Sequence, residues 1–163
     1  MLFISTGAKA AELDIKWITD DVDDTKLVFP DVFRLSCEYG PEYISVQWNP
    51  SPIPDTNLTL SATITGNSAE FRFKLIEAGP GGVSDDGCNC NAEGDSCDLE
   101  PEGKCFIEAF YYPQHKGIKK KKLNFDGIYT VSDSVFDVSE TFPVFATSYP
   151  SNHPAYDPYQ CDG

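Results

Sequence analysis

The sequence predicts an all-β protein folded as an antiparallel sandwich, and three observations predict it. Apolar residues recur at every second position along most of the chain, the spacing of a strand with one buried face. The runs are short and separated by Gly and Pro, the punctuation of strands joined by turns. No segment carries a 3.6-residue apolar stripe, so helices are not expected. Composition agrees, since 11 Phe and 8 Tyr against one Met favour pleated, half-buried surfaces.

Each element follows from its own alternation. Leu13, Ile15 and Trp17 alternate with Asp14 and Lys16, and Phe33, Leu35 and Cys37 alternate with Arg34 and Ser36. Ile44, Val46 and Trp48 alternate with Ser45 and Gln47. Leu58, Leu60, Ala62 and Ile64 share one face of a further strand, as do Phe71, Phe73 and Leu75. Later strands are expected over 104–112, 128–132, 135–139 and 142–146. Turns are expected at Gly40-Pro41, Gly66-Asn67, Gly79-Pro80-Gly81-Gly82 and Asp126-Gly127.

The six cysteines are Cys37, Cys88, Cys90, Cys97, Cys105 and Cys161. Thiols at this density become disulfides in an oxidising compartment, so the chain reads as extracellular. Six cysteines allow fifteen pairings. The expected set is two bridges within 88–105 plus Cys37 to Cys161; a bridge from Cys37 to Cys105 between the sheets is the rival. The same stretch echoes a calcium loop, with Asn89, Asn91, Glu93, Gly94 and Glu100 at the spacing of an EF-hand. Asn at the first position, Ser96 in place of an apolar residue and the lack of flanking helical patterns argue against it. Neither a metal nor a cofactor is expected, and a zinc site on the four thiols is disfavoured by the Cys-x-Cys spacing.

A net charge of -14 argues against nucleic acid or an anionic membrane as partner, since both require a basic face. No stretch is long and apolar enough to span a bilayer as a helix. Leu2-Phe3-Ile4 followed by small residues to Ala10-Ala11 has the look of the stump of a secretion signal. Basic residues gather at Lys116, Lys119, Lys120, Lys121 and Lys122, while acids crowd 12–31 and 85–102. Such polarity steers one copy onto another or onto an anionic polysaccharide, or else marks a solvated loop that protects a strand edge. Asn57-Leu58-Thr59 is the sole N-glycosylation sequon, next to the proline-rich run Pro50, Pro52, Pro54.

Cys37 and Trp48 lie on successive expected strands, and Asp126-Gly127-Ile128-Tyr129-Thr130-Val131 has the form of a tyrosine corner. Together they resemble the immunoglobulin and fibronectin type III superfamily, which implies an Ig-like sandwich with an inner Trp and a corner-tying Tyr. Val131 stands where an antibody-type domain carries its second cysteine. The stretch from Tyr129 to Val138 also resembles the last two strands of the Knh-like cell-wall domains of fungi and algae, which implies a surface or wall protein.

The expected organisation is an N-terminal extension over 1–26, a sandwich over 27–146 with a Cys-rich insert at 79–105, and a Pro/Tyr-rich tail over 147–163. The strand Leu13 to Trp17, tethered by Asp20-Asp21-Val22-Asp23-Asp24, must find a sheet edge. It either folds back on its own domain or is donated to the next copy, a head-to-tail contact that propagates. Two histidines, His115 and His153, accompany no nucleophile motif, so no enzymatic activity is expected. The function expected is that of a non-enzymatic, self-assembling extracellular subunit of a filament or coat. The alternative is a carbohydrate-binding or adhesion module with Tyr111, Tyr112, Tyr149, Tyr156 and Tyr159 as stacking platforms.

Overall fold

The computed structural model describes residues 11–33, 35–50, 55–65, 69–82, 87–150 and 152–155. Ten strands appear among them: β1 (Glu12–Trp17), β2 (Leu27–Val28), β3 (Tyr39–Asn49), β4 (Leu58–Ile64), β5 (Phe71–Ile76), β6 (Cys88–Cys90), β7 (Ser96–Leu99), β8 (Lys104–Tyr111), β9 (Gly117–Val131) and β10 (Ser134–Ser148). They form a four-stranded sheet in the order β1-β3-β8-β5 and a six-stranded sheet in the order β2-β10-β9-β4-β7-β6. The all-β sandwich read from the alternation is the fold.

Alternation sets the core directly. On β3, Ile44, Val46 and Trp48 are fully buried while Tyr43, Ser45 and Gln47 between them are not. Leu58 and Leu60 of β4, Ile107 and Tyr111 of β8, and Leu123 and Phe125 of β9 meet them from both sheets. The Trp48 indole N–H, which burial would otherwise strand, donates to the Thr56 carbonyl at 2.7 Å. Phe29 and Val32, following β2, are also buried and are held on β10 by backbone bonds from Phe29 N–H to Phe145 and from Val32 N–H to Thr147.

The N-terminal strand takes the first of its two expected places. Within the chain β1 folds back antiparallel onto β3, from Glu12 opposite Asn49 to Trp17 opposite Ile44. Leu13 and Trp17 are buried there, and the Trp17 indole N–H donates to Glu42 Oε2 at 3.1 Å. Within the single chain, the connection from Ile18 to Lys26 returns the strand to its own domain, the first of the two alternatives.

Four local expectations are corrected. Phe33, Leu35 and Cys37 lie in no strand; Ser36 has φ 61° and the chain bends there before β3 begins. The Gly40-Pro41 step is an irregularity within the β3–β8 ladder, not a turn between strands. Asp126-Gly127 likewise lies inside β9, because a Cβ at Gly127 would stand 2.7 Å from a Leu58 methyl; this glycine makes room for a core leucine. The chain reverses instead at Ser132-Asp133, both with positive φ (49° and 68°), as a two-residue hairpin turn demands. The three late strands expected are therefore two, β9 and β10, paired over fifteen positions from Gly117–Ser148 to Val131–Ser134. The Gly66-Asn67 turn lies outside the described residues, as does the signal-like segment 1–10.

Candidate functional site

The Cys-rich insert is a β-hairpin, not a loop. β7 pairs with β4 and β6 with β7, so the insert extends the six-stranded sheet. Cys90 stands directly opposite Cys97 and is bridged to it, while Cys88 is bridged to Cys105 of β8 and ties the two sheets together. The two bridges expected within 88–105 are present. The rival Cys37–Cys105 pairing is overturned, because Cys105 is taken by Cys88. Cys37 is itself disulfide-bonded, and its expected partner Cys161 lies outside the described residues.

Asn91 Oδ1 accepts the backbone N–H groups of Gly94 and Asp95 at 3.0 and 3.1 Å, which makes it the organiser of the β6–β7 turn and turns its oxygen inward. The four sulfurs of the insert lie within 4.8 Å of one another, but both pairs are oxidised and present no thiolate to a metal.

The basic run is a strand, not a solvated loop. Lys120 and Lys122 face outward from β9, while Lys119 points inward with its side chain only 12% exposed. Its ammonium donates to the Tyr111 hydroxyl at 3.0 Å, to Ser148 Oγ at 2.7 Å and to the His115 carbonyl, and lies 3.6 Å from Glu70 Oε2. Glu70 Oε1 accepts the N–H groups of Gln114 and His115 at 2.6 and 2.9 Å. Burial pushes the Glu70 carboxyl up, but those two N–H bonds and the Lys119 charge outweigh it and hold it below its ordinary 4.5. The cluster pins the chain segment that leads from β8 into β9.

The aromatic platforms divide. Tyr111 is fully buried against Phe29 and Phe71, so it cannot stack on a sugar. Tyr149 is stacked on Phe33 at 4.9 Å and flanked by His153, and Tyr112 is 38% exposed. Tyr156 and Tyr159 lie outside the described residues. Tyr129 occupies no corner; it sits within β9, its ring packed between Trp48 and Phe136. Asn57 precedes β4, and Thr59 of its sequon donates to Asp98 Oδ1 at 3.0 Å.

Among the described residues, what remains open is main chain. The four-stranded sheet ends in β1 on one side and β5 on the other, each six residues long. On β1, Ile18 N–H bonds Tyr43, so even-numbered residues face β3 and the amides of Leu13, Ile15 and Trp17 face outward. Trp17 N–H is capped by the Asp24 carbonyl at 2.8 Å. On β5, Tyr112 N–H bonds Glu70, so the amides of Phe71, Phe73 and Leu75 face outward, and Leu75 N–H is capped by Gly94 at 2.9 Å. Leu13, Ile15, Phe71 and Phe73 thus form two short open rows, each closed at one end by a strap. Sequence reasoning foresaw β1 as an edge but not β5, since only the topology makes β5 terminal.

No protein-family model matches the chain, and no curated protein matches it. Among solved structures it is similar to the ASH/PapD-like domain of human CEP192 (PapD-like domain 7), at 10% identity and a TM-score of 0.50, over 92% of this chain and 95% of that one. It is also similar to AggA, the major subunit of aggregative adherence fimbriae type I of Escherichia coli (10% identity, TM-score 0.45, 87% and 97% covered). A third is the E. coli chaperone DraB (12% identity, TM-score 0.47, 86% and 56% covered). At 10% identity the first of these likenesses speaks for the fold alone, a PapD-like β-sandwich.

Proposed function

We propose that the protein is a non-enzymatic extracellular structural subunit that assembles with copies of itself into a filament or coat. The observation that carries the reading is the pair of edges on opposite sides of one sheet, each presenting main-chain groups unpaired among the described residues beside apolar side chains. Unpaired edges are templates for another strand, and a protein that persists outside the cell while leaving two of them open has a use for them. Disulfides within the insert and at Cys37 support an oxidising compartment. Asn57 is the proposed glycan acceptor.

Donation of β1, the assembly mode expected from sequence, is the less favoured form of this reading, because β1 already completes its own sheet in full register. Sedimentation velocity and negative-stain imaging of the secreted, glycosylated chain test the proposal. Multimers that grow with concentration, and unbranched filaments or sheets in the images, are expected. A monodisperse 18.0 kDa chain plus its glycan at every concentration overturns it.

A further inference from the structure

We propose that copies meet edge to edge, β1 of one chain pairing antiparallel with β5 of the next in a single register; the proposal rests on the self-assembly reading. Every neighbouring pair in the order β1-β3-β8-β5 is antiparallel, so the two outer strands run in opposite directions. A second copy displaced along the sheet therefore lays its β1 antiparallel to β5 with its apolar face on the same side. β1 stays on its own β3 throughout.

The free amides choose the register. Hydrogen-bonded pairs must join residues whose N–H and C=O face outward, which places Leu13 opposite Phe73 and Ile15 opposite Phe71. The residues between them then fall as Glu12 opposite Lys74, Asp14 opposite Arg72 and Lys16 opposite Glu70. The first two are pairs of opposite charge; in the third, the Glu70 carboxylate is already held by Lys119 and by the amides of Gln114 and His115, so the register rests on the first two. A slip of two residues one way sets Glu12 opposite Arg72 but Asp14 against Glu70, and the other way sets Asp14 opposite Lys74 but Lys16 against Arg72, so each slip brings one like-charge pair into the joint. A slip of one residue turns the apolar face outward. This register alone joins the outward main-chain groups without setting like charges opposite each other.

The surroundings fit the same joint. The Asp24 strap at Trp17 and the Gly94 strap at Leu75 fall at opposite ends of the antiparallel pair and limit the ladder to the open rows. β7 covers β4 only from Leu58 to Ser61, leaving Ala62 and Ile64 beside Phe71, Phe73 and Leu123 in a cleft of about 280 Å³ under the β5 edge. An incoming β1, with Leu13 and Ile15 on the inner side, roofs that cleft. The central charged pair is accessible: Arg72 is 65% exposed in a pair with Glu38, and Asp14 is 41% exposed in a pair with Lys16. Such exposed pairs exchange partners at little cost. The contact joins two different surfaces, so it repeats head to tail and builds a filament unless the rotation closes.

Covalent capture tests the register on the full chain. Asp14→Cys and Arg72→Cys, made as separate proteins and mixed under mild oxidation, occupy directly opposed positions and are expected to cross-link about tenfold faster than Asp14→Cys mixed with Lys74→Cys. Arg72→Glu or Asp14→Arg alone is expected to weaken association about tenfold, and the double variant to restore it. Wild-type chains that associate while the two cysteine mixtures react alike, or while the charge reversals change nothing, overturn the register and leave the assembly reading standing. Wild-type chains that never associate overturn both. A chain with β1 fixed to its own β3 by Ile15→Cys and Val46→Cys is expected to keep assembling; loss of assembly on oxidation of that pair favours donation and overturns the edge joint.

Discussion

Removing the bridge between the sheets is the perturbation whose size the structure sets most directly. Cys88 and Cys105 are separated by 17 residues and join β6 of one sheet to β8 of the other, whereas Cys90 and Cys97 are separated by 7 and close a hairpin already paired by β6 and β7. In the chain-entropy account, opening the longer loop costs about 3 kcal/mol and opening the shorter about 2.4 kcal/mol. Cys105 is fully buried, so Cys88→Ala/Cys105→Ala adds a small cavity of about 1 kcal/mol to the first figure. Alanine is preferred to serine because a hydroxyl at Cys105 would enter the core. Urea unfolding of both double variants, followed by fluorescence of the buried Trp48, measures the two costs without reducing agent. The sheet-to-sheet variant is expected to be the less stable of the two, with a Tm about 8–16 °C below the parent. Equal stability of the two variants, or a loss below about 1 kcal/mol from opening Cys88–Cys105, would refute the view that this bridge constrains the sandwich.

Two further outcomes follow from single sites. Glu70 is held below its ordinary 4.5 in the folded state, so the stability it contributes is fully present above that value and is lost as pH falls through the lowered folded value. Glu70→Gln is expected to flatten the decline of stability below pH 4.5 relative to the parent, measured by urea midpoints across an acid series; unchanged slopes would remove the Lys119–Glu70 cluster from the account. Gly127→Ala forces a methyl onto Leu58 and is expected to cost about 1–3 kcal/mol. Partial rescue by a smaller residue at Leu58 would attribute that loss to the contact, and a neutral Gly127→Ala would contradict it.

Much of the sandwich was legible because burial of one strand face writes itself into the chain with period two. Ile44, Val46 and Trp48, or Leu58 and Leu60, leave no other economical reading. The misreadings have local physical causes. The lysine run hid the first half of β9, since an inward Lys119 looks polar until Tyr111, Ser148 and Glu70 are seen to satisfy it. The hairpin turn at Ser132-Asp133 lacks the Asn-Gly signal, and Gly127, which resembles a turn glycine, is spacing for Leu58. Two- and three-residue strands such as β2 and β6 are too short to show any period. The edge positions were hardest to see, because whether a strand ends a sheet is decided by the order of pairing and not by its own residues. The match of charges between β1 and β5 has meaning only once both are known to be terminal.

Amide hydrogen exchange on dilute and assembled chain tests the central claim most directly. In the dilute monomer the outward-facing amides of Leu13, Ile15, Phe71 and Phe73 have no hydrogen-bond partner among the described residues and are expected to exchange rapidly, while those of Trp17 and Leu75, capped by Asp24 and Gly94, exchange more slowly. On assembly the four open amides are expected to become protected together, with β3 and β8 unchanged. Assembled material in which those four amides exchange as fast as in the monomer would contradict the claim that copies join through the two edges of this sheet.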